Sequence, residues 1–141
     1  MNTTTTPTRS LVIEKEMPHP PEKIWRALTE ASLIEAWLMS NDFQPTVGRK
    51  FTLRTTPQSN WSGIVDCEVL TLEPKSRLSY RWESMGLQTV VDWTLTPTKA
   101  GTQVRMEQSG FRSETDANYK GANYGWQKFT AGLERVAGGL A

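Results

Sequence analysis

The sequence predicts an α+β domain in which a curved antiparallel sheet of about six strands wraps around a long C-terminal helix, with two short helices after the first strand. Two observations carry this. Tyr119, Ala122, Trp126, Phe129, Leu133, Val136 and Leu140 recur at three- and four-residue steps, the period of an α-helix with one apolar stripe. The segments before that stripe alternate apolar with polar residues, the period of strands that bury one face and wet the other. A sheet with one apolar face needs a cover, and the final helix supplies it.

Leu11 to Met17 alternates and reads as the first strand. Pro18-His19-Pro20-Pro21 ends it, because proline donates nothing to a ladder and suits the first turn of a helix. Glu22 to Glu30 is the first helix, with Ile24, Trp25 and Leu28 on one face. Ser32-Leu33-Ile34-Glu35 has the capping-box pattern, which predicts a second helix from Ser32 that buries Leu33, Ala36 and Trp37. Strands follow at Arg49–Thr56, Gly63–Glu73, Ser76–Ser84, Gln88–Thr96 and Thr102–Gly110, separated by turns short enough for hairpins. Within Gly63–Glu73 the apolar phase switches from Val65, Cys67 and Val69 to Leu70 and Leu72, which suggests a bulge or an edge where both faces are covered. The last helix starts near Ser113 or Asp116 and stops at Gly138-Gly139. Gly121, Gly125 and Gly132 weaken it, each by about 0.5–1 kcal/mol relative to alanine. The first two make the N-terminal half the softer one, and the segment Lys120–Gly125, with the loop Met39–Val47, suggests a gate while Trp126 to Leu140 stays docked.

At 141 residues the chain suits a single domain over 10–141 behind a polar, disordered tail over 1–9. The net charge of +1, with acids and bases interleaved, gives no electrostatic footprint for nucleic acid or an anionic membrane. No apolar run approaches the roughly 20 residues of a membrane helix, so neither nucleic acid nor membrane is expected as a partner. One cysteine, Cys67, allows no intrachain disulfide; with no signal peptide apparent, a reducing cytoplasm is the expected location. His19 is the one histidine, and its place between prolines marks it as structural. With no metal-ligand cluster, phosphate loop or dinucleotide fingerprint, no metal, cofactor or catalytic residue is assigned.

The stretch Pro20-Pro21-Glu22-Lys23-Ile24-Trp25-Arg26-Ala27-Leu28-Thr29-Glu30 resembles the opening of START-like (SRPBCC, birch-pollen-allergen-like) domains. Among these it is most similar to homologues of the activator of the heat-shock-protein ATPase. Ala36-Trp37, Leu72-Glu73-Pro74-Lys75-Ser76-Arg77-Leu78 and Gly125-Trp126 agree with that family in the same order. The resemblance spans about Leu11 to Leu140 and implies a helix-grip fold with a cavity between sheet and long helix. It also implies a preference for apolar molecules, with some relatives cyclising or dehydrating polyketides. Two positions depart from the family pattern: Val47-Gly48-Arg49-Lys50 replaces a glycine pair, and Cys67 stands where a glycine is usual. The ATPase-activating role belongs to larger relatives with a further domain and is not carried over.

The candidate ligand-binding residues are Trp37, Tyr80, Trp82, Trp93, Met106, Tyr119, Trp126 and Phe129. Flat rings leave gaps and present faces for stacking, but bulky apolar residues also simply fill cores. Three readings stay open. The first is binding of a small apolar or aromatic molecule in the cavity. The second is a cyclase- or dehydratase-like enzyme using a cavity tyrosine or an inward carboxylate among Asp66, Glu68, Glu83, Asp92 and Glu107. The third is a stress-associated interaction protein with a filled interior, as a homodimer. The residues favour the first over the second.

Overall fold

The structure, a computed structural model, describes residues 8–57, 61–112 and 116–140, with the backbone alone at 8, 9, 112 and 116–119. The elements run β1 (Thr8–Met17), α1 (Pro21–Thr29), α2 (Ala31–Trp37), β2 (Ser40–Asn41), β3 (Lys50–Arg54), β4 (Ile64–Glu73), β5 (Arg77–Ser84), β6 (Leu87–Pro97), β7 (Thr102–Arg112) and α3 (Asp116–Gly138). The strands form one antiparallel sheet in the order β1-β7-β6-β5-β4-β3-β2. It is the α+β helix-grip arrangement expected, with α3 laid against α1, α2, β1 and β7.

The sheet has seven strands, because Ser40–Asn41 adds a two-residue edge to β3. β1 begins three residues before the apolar alternation does: pairing to β7 continues to Thr8↔Arg112 across a register shift between Arg9 and Ser10. The bulge anticipated in β4 lies between Val69 and Thr71. Val69 faces Tyr80 and Leu72 faces Leu78, so the extra residue is Leu70, which is turned out to solvent. One inserted residue thereby returns Leu72 to the apolar side. β5 and β6 join through a two-residue turn, Met85-Gly86, with φ of 51° and 85°, the left-handed pair that matches hairpin twist.

Pro21 opens α1, and the Pro20 carbonyl accepts from the Lys23 and Ile24 amides. The capping box does not form. α2 begins at Ala31, one residue early, and the Glu30 carbonyl takes the Leu33 and Ile34 amides with no side-chain cap. The helix packs with Ile34 and Trp37 buried, leaving Leu33 half-buried and Ala36 exposed. Ser32 is exposed and lies inside the helix rather than at its cap, which Glu30 occupies. Of the two proposed starts of α3, Ser113 lies outside the described residues and Asp116 is the first helical residue.

Gly132 has a purpose that propensity hides. A Cβ there would meet Trp37 Cβ at 3.2 Å, so the missing side chain lets α3 lie close against α2. At the far end, Gly138 faces the His19 ring, where a Cβ would lie 3.0 Å from Cε1. His19 packs the helix end and its carbonyl accepts from Thr102 Oγ1 at 2.8 Å, which is structural work. The Met39–Val47 loop, in contrast, is unsuited to a gate. Phe43 is buried edge-on against Phe51, Asn41 Nδ2 donates to the Ala31 carbonyl at 3.0 Å, and Asp42 Oδ1 accepts from the Thr52 amide at 2.7 Å.

Candidate functional site

The inner face of β5, β6 and β7 is built by simple alternation. Tyr80 and Trp82, then Thr89, Val91 and Trp93, then Val104, Met106 and Gln108 point toward α3, while Arg81, Asp92, Arg105 and Glu107 point away. From α3, Trp126 enters this face. Its ring lies 5.7 Å from Trp93, 5.3 Å from Trp82 and 5.5 Å from Phe129, all edge-on or tilted. Trp93 meets Trp37 of α2 edge-on at 5.7 Å, and Tyr80 meets Phe51 at 5.5 Å. Such edge-to-face contacts set negative ring faces against positive edges, so they fix ring orientation as well as fill space.

The tract is closed at one end and open at the other. Trp93 and Met106 are fully buried, and Trp37, Tyr80 and Trp126 nearly so. Trp82 and Phe129 are half-buried, and Trp61 and Leu87 are likewise partly buried against the core. Seven of the eight candidate residues therefore sit in one connected cluster. For the eighth, Tyr119, the side chain lies outside the described residues.

Polar groups hold the rings. Trp126 Nε1 donates to Gln108 Oε1 at 2.7 Å, Gln108 Nε2 donates to Thr89 Oγ1 at 2.9 Å, and the Thr89 hydroxyl donates to the Trp82 carbonyl at 3.0 Å. Trp93 Nε1 donates to the Tyr80 oxygen at 3.1 Å, and Trp37 Nε1 to the Ala27 carbonyl at 2.8 Å. Gln108 and Thr89, 2% and 3% exposed, are the residues that sequence reasoning missed. The signal was available: each occupies the inward phase of its strand, where a polar residue needs a reason to be. Trp61, whose Nε1 donates to Ser84 Oγ at 2.8 Å, lies between β3 and β4 and gave no periodic signal.

The carboxylates proposed for an enzymatic reading all lie on the outer face. Arg81 pairs with Glu68 and Glu83, Arg77 with Asp92, Arg105 with Glu107 and Glu14, and Asp66 is exposed. An open depression of about 400 Å³ on that face is lined by Asp42, Lys50, Thr52, Asp66, Arg81 and Glu83, with both signs of charge mixed. Lys15, on the inward phase of β1, reaches around to Glu134 of α3 at 2.7 Å. Among the described residues no group of three or more His, Cys, Asp or Glu is placed to hold a metal ion, and no helix is long and apolar enough to cross a membrane.

Burial pushes the Cys67 thiol and the Tyr80 phenol well above their ordinary ranges. Both stay neutral, so neither is a ready nucleophile or base. The unfolded chain ionises first, which makes the stabilising contribution complete at neutral pH. It falls as pH climbs past about 9 for the thiol and about 10 for the phenol. Urea midpoints should accordingly drop between about pH 8 and pH 11, and Cys67→Ala should flatten part of that drop. In the same protein a thiol-specific chromogenic reagent should react with Cys67 only on the timescale of unfolding; rapid reaction with the native state would contradict the burial.

The family model described as Activator of Hsp90 ATPase homolog 1-like protein matches residues 18–138. The crystal structure of protein MLL2253 from Mesorhizobium loti is 48% identical, covers 91% of this chain and 96% of that one, and superposes with a TM-score of 0.83. Protein BH1534 from Bacillus halodurans is similar at 22% identity over 94% of this chain and 99% of its own, with a TM-score of 0.79. CalU16 from Micromonospora echinospora is similar at 21% identity over 92% and 76%, with a TM-score of 0.76. The last two speak to the fold alone. No curated protein matches the chain.

Proposed function

The chain belongs to the Activator of Hsp90 ATPase homolog 1-like family, and on that premise we propose that it binds a small aromatic or apolar molecule between the sheet and the N-terminal half of α3. The observation that carries this reading is the asymmetric ring tract: Trp37, Trp93 and Trp126 are locked and dry, whereas Trp82 and Phe129 at its end are part-exposed. A core that only needed filling would gain by burying those two rings as well, at about 25 cal/mol per Å² of apolar surface. Leaving them open makes sense where a guest covers them. The N-terminal half of α3 suits an entrance, since Gly121 is exposed with no neighbour around a notional Cβ and Tyr124 lies in solvent.

Catalysis finds little support from the same residues, because Asp66, Glu68, Glu83, Asp92 and Glu107 face the other side of the sheet and Tyr80 is held neutral. A cytoplasmic location accords with a buried free thiol. Native mass spectrometry of protein purified from its own host, together with tryptophan quenching by a panel of flat apolar compounds, tests the proposal. We expect saturable quenching with micromolar midpoints that Trp82→Ala and Phe129→Ala each weaken about tenfold. Unsaturable quenching across the panel would end it.

A further inference from the structure

We propose that the solvent face of α3 is a docking surface for an acidic helix of a partner protein. This goes beyond the binding reading above and does not depend on it. Lys120, Tyr124, Lys128, Ala131 and Arg135 recur at steps of three and four, and all five are exposed. At 3.6 residues per turn they share an arc of about 80° and run about 22 Å along the axis. From Lys120 to the end of α3 the one acid is Glu134, and it turns aside to Lys15 at 2.7 Å. Among the described residues no acid stands within ion-pair distance of Lys120, Lys128 or Arg135. A helix that needed only solubility would gain from opposite signs at four-residue spacing, yet this stripe holds one sign.

Tyr124 gives the stripe an anchor. It is 66% exposed, and the Lys128 ammonium lies 4.7 Å from its ring centroid. That contact holds the ring against the helix before any partner arrives, which lowers the ordering cost of docking. Tyrosine and arginine are the residues that most often carry an interface once they are covered. The polar groups of the stripe (two ammonium groups, a guanidinium and a phenol) can all donate, so the matching surface is rich in carboxylates. Its width selects the kind of partner. The helices α1 and α2 pack against α3 and expose Glu22, Glu30 and Glu35. A broad polyanion, whether a lipid surface or nucleic acid, would press on those acids as well, and a net charge of +1 gives it no long-range attraction. A single helix with glutamates at four-residue spacing meets the cations and clears the acids.

The probes are a fluorescein-labelled alanine-rich peptide of about 15 residues, the length of the stripe, with glutamate at every fourth position, and its glutamine counterpart. Fluorescence anisotropy is read at low and at physiological salt. The expected result is saturable binding of the glutamate peptide, about tenfold tighter than the glutamine one and weaker as salt rises. Lys128→Glu should weaken it about tenfold. Lys50→Glu, the same charge change on the outer face of the sheet, should leave it unchanged. Equal losses in the two variants would mean that net charge alone binds the peptide and would overturn the surface. Equal binding of the two peptides, or binding of neither, would overturn it too. Sedimentation with vesicles of equal parts phosphatidylserine and phosphatidylcholine completes the test. Vesicle binding that Lys128→Glu abolishes, without saturable peptide binding, would assign the stripe to a membrane and overturn the proposal.

Discussion

Trp126→Ala should cost the protein about 3–5 kcal/mol of stability, read as a lowered urea midpoint at unchanged slope. The side chain is 2% exposed and touches Trp82, Trp93 and Phe129, so truncation opens a cavity among rings that cannot collapse without losing their own contacts. It also leaves Gln108 Oε1 without the indole N–H it now accepts at 2.7 Å. Trp126→Phe separates the two effects, because it keeps a ring and removes the donor. We expect it to cost about 1–3 kcal/mol, the penalty for a buried acceptor left unpaired. A loss below about 1 kcal/mol for Trp126→Ala would mean that the indole is not the keystone of the tract. Binding of flat apolar compounds should weaken in parallel, because Trp126 backs the half-buried rings that a guest would cover.

Gly101→Ala should destabilise the fold by about 3 kcal/mol, at the upper end for overpacking. A Cβ at Gly101 would collide with the Met17 carbonyl oxygen and stand 2.6 Å from the His19 amide nitrogen. Both are backbone atoms, so no rotamer change relieves the clash. The site is where the β6–β7 turn presses on the junction between β1 and α1. Thr102 Oγ1 donates to the His19 carbonyl at 2.8 Å, and the His19 amide donates to the Met17 carbonyl at 2.8 Å. Pushing the turn away would break that seam and tilt α1, which carries one side of α3. Chemical denaturation measures the loss; a change below about 1 kcal/mol would show that the turn yields freely. Gly86→Ala is a useful contrast, since it shares a hairpin-turn setting but has no atom within 4 Å of a notional Cβ. There only the left-handed φ of 85° penalises alanine.

Much of the molecule was legible because its elements obey short-range periods. The α3 stripe places Trp126 and Leu133 in the core at helical spacing, and the β5–β7 alternation sends Tyr80, Trp93 and Met106 inward without error. Even the β4 bulge was visible as a change of phase at Leu70. Where a local signal competed with a long-range one, the local signal lost. Ser32-Leu33-Ile34-Glu35 satisfies the capping-box pattern, yet the helix starts at Ala31 with Glu30 as its cap and buries Ile34, with Leu33 only half-buried. Gly132 looked like a weakness in a helix and is the close contact with Trp37.

By itself the sequence determined which residues are apolar on which face, hence the sheet, the gripping helix and the identity of the inward rings, because hydrophobic burial acts through periodicity that the chain carries locally. Tertiary structure alone decided which rings are sealed and which stay part-open, and which polar residues hold them. It also decided that Gly101 and Gly132 are points of close approach. Those are properties of pairs such as Trp126 with Gln108 or Gly132 with Trp37, far apart in sequence, and no local pattern specifies the distance between their partners.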